Sequence, residues 1–77
     1  MKTNNLIITG NLISVNNHSF TISNENYGII DININKILLK KIKSYANIND
    51  HIGVKGHIDA TSGKLQIVAD KVSFINK

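Results

Sequence analysis

Residues 27–60, YGIIDININKILLKKIKSYANINDHIGVKGHIDA, change periodicity twice. At the start, Ile30, Ile32 and Ile34 alternate with Ile29, Asp31 and Asn33, which predicts a strand over Tyr27 to Ile34 with one core face. Asn35 follows as a helix cap, because its side-chain oxygen can accept a hydrogen bond from an early free amide. Lys36 to Ala46 then reads as an amphipathic helix. Leu38, Ile42 and Tyr45 lie on one stripe flanked by Leu39 and Ala46, while Lys36, Lys40 and Lys43 share another side with Lys41 between them. Asn47 to Asp50 breaks the helix. From His51 to Ala60 the period returns to two, with Ile52, Val54, Gly56 and Ile58 inward and His51, Gly53, Lys55, His57 and Asp59 outward.

On the amino-terminal side, Asn5 to Val15 is β-branched and apolar, with Gly10 at the place where a long strand would bend or bulge. Asn16-Asn17 signals a tight turn. In the strand predicted over His18 to Ser23, Phe20 and Ile22 face the core, and Ser19, Thr21 and Ser23 face out. Asn24-Glu25-Asn26 turns into the strand that begins at Tyr27. On the carboxy-terminal side, Thr61-Ser62-Gly63 forms a hairpin loop. Leu65 to Ile75 is a last strand whose phase slips near Asp70-Lys71, a bulge with Ile67 before it and Val72 and Phe74 after. Strand, strand, strand, helix, strand, strand is the element order of the OB-fold, a five-stranded partly open Greek-key barrel. The expectation is an all-β class with one helix, and a single domain over 1–77. Barrel closure removes most sheet edges, and the helical stripe plugs one end.

Composition narrows the chemistry. The 77 residues are 42% apolar and lack cysteine, proline and tryptophan, so thiolate metal sites and disulfides are excluded. MKTNNLIITG is too short and too polar for a signal peptide or membrane span, which makes a cytoplasmic location the expectation. Nine basic residues, every one a lysine, against five acids give a net charge of +4, a sign that favours polyanions. Isoleucine, asparagine and lysine fill nearly half the chain, as in proteins of AT-rich genomes, so part of the lysine excess is compositional.

KKIKSYANINDHIGVKGHI (40–58) and LQIVADKVSFI (65–75) resemble the carboxy-terminal half of bacterial single-stranded-DNA-binding proteins. In that family a helix ending near a tyrosine leads into a strand with a V-x-G-x-I/L core, and the last strand reads like VVADxVxFL. Tyr45, Val54 to Ile58 and Ile67 to Ile75 match those features. LIITGNL (6–12) and HSFTIS (18–23) are similar to the family's first two strands. The resemblance implies sequence-independent binding of single-stranded DNA in replication, recombination or repair, by a homo-oligomer, dimer or tetramer, assembled through first-strand edges and sheet faces. Hairpins shorter than the family's imply a smaller footprint, and the missing stacking tryptophans, glycine-rich tail and acidic tip imply weaker binding and no hub role. A trimmed relative from a phage, plasmid or mobile element, or a primosomal protein of the same fold, fits that description.

Binding single strands without regard to sequence requires a positive groove for phosphates and flat side chains for bases. In an OB-fold the ligand crosses strands two and three near the first and fourth loops. Candidate nucleic-acid-binding residues are therefore Tyr27 as the stacking ring, Ser19, Thr21 and Asn33 as hydrogen-bonding groups, and Lys55, His57 and Lys64 along the backbone path. Asp31 sits awkwardly on such a face. Phe20 and Phe74 read as core, Tyr45 as a helix-to-barrel contact, and the helix lysines as a soluble face. Without arginine there is no bidentate fork for guanine, so little base specificity is expected. DNA is expected ahead of RNA as ligand, with no cofactor, no metal and no membrane partner. His51 and His57 stand about 20 Å apart along one strand, too far to share zinc. His57 and Asp59 are a same-face surface pair, and GVKGH lacks the spacing of a phosphate loop. An enzyme is not expected. The alternative is an OB-fold interaction or oligomerisation subunit with little or no nucleic-acid binding.

Overall fold

The computed structural model describes residues 5–61 and 63–75; Ser62 of the expected hairpin loop, and the residues before Asn5 and after Ile75, lie outside them. The elements are β1 (Asn5–Val15), β2 (Ser19–Asn24), β3 (Gly28–Asn33), α1 (Lys36–Tyr45), β4 (His51–Asp59) and β5 (Gln66–Phe74). The strands close into a barrel in the order β1-β2-β3-β5-β4. Closure depends on β1, which serves two partners. Its first part, Asn5 to Asn11, runs antiparallel to β4, and from Asn11 onward it pairs with β2. The last seam is a short parallel contact of Ile32 and Asn33 with Ile67 and Val68.

Gly10 sits just before this handover. A Cβ there would stand 2.6 Å from the Ser23 carbonyl oxygen, so only glycine lets the hairpin approach β1 so closely. The irregularity itself falls later than expected: Ile13 is the extra residue, because Leu12 and Ser14 oppose the consecutive Ile22 and Thr21. In β5 the phase slip lies where the sequence predicts it. Lys55 and Gly56 oppose Lys71 and Ala69, leaving Asp70 as the bulged residue. Gly56 is buried under that bulge, and a Cβ on it would collide with the Val68 carbonyl oxygen.

Inside the barrel, Leu12, Phe20, Ile22, Ile32, Ile52 and Val54 are sealed from solvent, and each such side chain contributes about 1.5–3 kcal/mol through burial. Full burial of Phe20 and Ile22 settles the register of β2 as predicted. The helix closes the end of the barrel where β3 stops and β4 starts. Asn35 caps it, its Oδ1 accepting from the Leu38 amide at 2.9 Å, and the chain leaves it through Asn49 in the left-handed region (φ 78).

Two inward assignments are corrected. The stripe pivots about Ile42 toward Leu39, so Leu39 and Ile42 are buried while Tyr45 is 71% exposed. Tyr45 stands on the last turn, overhanging the rim, and its ring tilts over Phe74 at a centroid distance of 6.2 Å. Ile58 is also exposed, at 39%, one residue from the end of β4 at the rim of the barrel, beyond the sealed interior it was expected to face.

Gly56→Ala is expected to cost about 1–3 kcal/mol from overpacking against the bulge. Gly53→Ala, whose new Cβ would meet nothing nearer than 3.7 Å, is expected to leave stability nearly unchanged. Urea midpoints at constant m distinguish the two.

Candidate nucleic-acid interface

The β2–β3 hairpin presents one wall of the barrel to solvent. Its outward rows are Ser19 opposite Asn33, Thr21 opposite Asp31, and Ser23 opposite Ile29. A three-residue turn, Glu25 to Tyr27, joins the strands and is organised by one side chain. The Asn24 Oδ1 accepts from the amides of Asn26 at 2.8 Å and Tyr27 at 2.9 Å, while its Nδ2 donates to the Thr9 carbonyl at 2.7 Å. Asn24 thereby fastens the turn to β1 and sets the direction of Tyr27.

Tyr27 is 75% exposed and stands at the mouth of an apolar groove of about 410 Å³, lined by Leu6, Ile7, Ile8, Ile30 and Ile67 beside it. On the other side of the Asn24–Thr9 bond lies a polar recess of about 390 Å³ that includes Asn11, Asn26 and His51, with the His51 ring bonded to the Asn11 amide oxygen at 2.9 Å. The loop carrying Lys64 enters β5, which starts beside the end of β3. Asp59 anchors that loop. The Thr61 amide, and after it the Thr61 hydroxyl, hold its carboxyl below the ordinary aspartate value. The stability this contributes is present above the unfolded value and is lost as pH falls through the lowered one.

The expected site residues fall in three places. Ser19, Thr21 and Asn33 lie along the hairpin wall, with Tyr27 about 20 Å from Ser19 at its turn. Lys64 belongs to the loop before β5. Lys55 and His57 lie on β4, separated from β2 by β1 and from β3 by β5, so they face outward from the opposite wall. Thr21, expected as an exposed donor, is buried at 8%, because Ser14 and Asp31 flank its small side chain on the neighbouring strands. Its hydroxyl donates to the Asp31 carboxylate at 2.6 Å. His57 bonds Asp70 at 2.8 Å across the bulge.

The hairpin wall is not the cationic trough that the overall charge suggested. Residues 16–35 contain no lysine, and their charged side chains are Glu25 and Asp31. Sequence reasoning did not single out Asn24 or Asp70 for this region. An Asn two and three residues before Asn26 and Tyr27 was a readable turn signal, and the phase slip at Asp70 placed a carboxylate opposite β4. Among the described residues, no group of three or more His, Asp or Glu side chains is placed to hold a metal ion, and no helix is long and apolar enough to cross a membrane.

With this geometry in view, comparison with known proteins is informative at the level of the backbone. A mitochondrial single-stranded DNA binding protein from S. cerevisiae superposes with a TM-score of 0.84, covering 100% of this chain and 99% of that one, at 15% sequence identity. This chain has the OB-fold. The second single-stranded DNA binding protein from Mycobacterium smegmatis gives 0.71 at 15% identity, over 94% of this chain and 86% of its own. An OBody bound to hen egg-white lysozyme gives 0.74 at 15% identity, over 100% and 99%. No family model and no curated protein matches the sequence. The resemblance read from residues 40–58 and 65–75 thus leads to structural neighbours that include mitochondrial and bacterial single-stranded DNA binding proteins.

Asn24→Ala is expected to lower stability by about 1–2 kcal/mol, since three hydrogen bonds are lost at a partly exposed turn. Amide exchange at Tyr27 should accelerate more than at Ile32, which checks that the loss is local.

Proposed function

We propose that the protein binds single-stranded nucleic acid, DNA ahead of RNA, without sequence preference and without catalysis, in replication, recombination or repair. The observation that carries this reading is the exposed ring of Tyr27, on a backbone held by Asn24, beside an apolar groove where an unpaired base can stack and bury its face. Ser19 and Asn33 add hydrogen-bonding groups at the other end of the same hairpin. Whole-length likeness to single-stranded DNA binding proteins supports the reading, as does the net charge of +4. Asp31 and Glu25 repel phosphate, so bases rather than backbone occupy the hairpin wall.

A second feature favours self-association. Before Asn11, no strand among the described residues pairs with β1 on the side away from β4, and Ile7 on this stretch is 77% exposed. An open apolar strand edge is a template for another strand. A homo-oligomer built on β1 is therefore part of the proposal, and an interaction subunit without nucleic-acid binding is the reading left if titrations are flat.

Fluorescence anisotropy with labelled dT and rU oligomers should show binding at about 20 mM salt that weakens steeply as salt rises. Tyr27→Ala should lower affinity about 5- to 150-fold, the equivalent of ~1–3 kcal/mol of stacking, and Tyr27→Phe should not. Flat titrations refute nucleic-acid binding. Light scattering should give at least a dimer, and Ile7→Lys should give a monomer; a monomeric wild-type protein at high concentration refutes the association.

A further inference from the structure

We infer that the phosphodiester backbone of a single-stranded ligand is held on the β1–β4–β5 wall by Lys55 and Lys71, on the far side of the barrel from the hairpin. This rests on the binding proposed above and assigns it a second surface. Lys55 and Lys71 are direct partners in the β4–β5 ladder, both exposed, with Ile7 of β1 completing their row. Side chains in such a pair stand about 5 Å apart at Cβ, where like charges cost stability. Among the described residues neither lysine forms a salt bridge with a carboxylate. Among the described residues the salt bridge of this wall joins His57 to Asp70, which turns the nearest carboxylate toward the imidazole.

The next row along the wall is Thr9, Gly53 and Ser73. With no side chain at its centre, Gly53 leaves a shallow notch, where the Thr9 methyl, the Ile75 Cδ1 and the Ser73 Cβ would lie 3.7, 3.8 and 4.0 Å from a Cβ built there. Two ammonium groups beside this uncharged, low-lying row match the anionic oxygens of a phosphodiester, which accept charge-assisted hydrogen bonds. The helix holds more lysines, Lys36, Lys40 and Lys43 on one side with Lys41 between them, but they follow one another a turn apart and no strand pairing sets any two directly opposite.

Salt dependence of dT-oligomer binding tests the assignment. Each phosphate contact with a single strand contributes about 0.7 to the slope of log K against log salt, so the Lys55→Gln/Lys71→Gln double variant should reduce the slope by about 1.4. A Lys40→Gln/Lys41→Gln variant, which removes the same charge from the helix, should leave it unchanged. Thermal melts should place the wall variant at or above the wild type, because a repulsive pair has been removed. If the wild type binds and the wall variant keeps its slope, or the helix variant loses as much, the assignment is overturned while the proposed function stands. If the wild type does not bind, both are overturned.

Discussion

Asn11 faces two strands at once, His51 of β4 on one side and Ser23 of β2 on the other. A small barrel cannot close unless one strand changes partners, and here β1 does so over a few residues. Gly10 permits the close approach of the Ser23 carbonyl, and the extra residue at Ile13 absorbs the change in direction. The sealed core around Phe20, Ile22, Ile52 and Val54 exists only because that handover brings the hairpin and the β4–β5 pair into one cylinder. The hairpin wall, the apolar groove and the open edge of β1 all follow from it.

Closure also separates the charges. The hairpin wall carries Asp31, with its carboxylate bonded by Thr21, and has no lysine, whereas Lys55 and Lys71 stand together across the barrel. Net charge describes the field at long range but not where a polyanion rests. In the function proposed above, the two walls would take different parts of an unpaired strand, stacked bases at Tyr27 and phosphates at the opposed lysines.

Much of the architecture was legible in the residues. The three periods in 27–60, the asparagine cap at Asn35 and the phase slip at Asp70 are local signals, and each corresponds to an observed element, a cap or a bulge. The exposure of Tyr27 beyond a turn was readable in the same way. Thr21, Tyr45 and Ile58 were not, because each depends on what lies beside it rather than on its own strand or helix. Alternation places Thr21 outward, but only the neighbours Ser14 and Asp31 reveal that it is covered. Ile58 is inward by period and exposed because it stands at the rim of the barrel, one residue from the end of β4.

The sequence by itself determined the elements and the faces they would bury, since hydrophobic period, capping and turn chemistry act over a few neighbouring residues. Tertiary structure decided which outward faces share a wall. Lys55 and Lys71 are sixteen positions apart in the chain and become direct neighbours only through the ladder around the bulge, while Lys55 and Ser19, expected to serve one groove, end on opposite sides. Strand order around a closed barrel is set by the long-range pairings that best bury the whole core, and no local pattern encodes it.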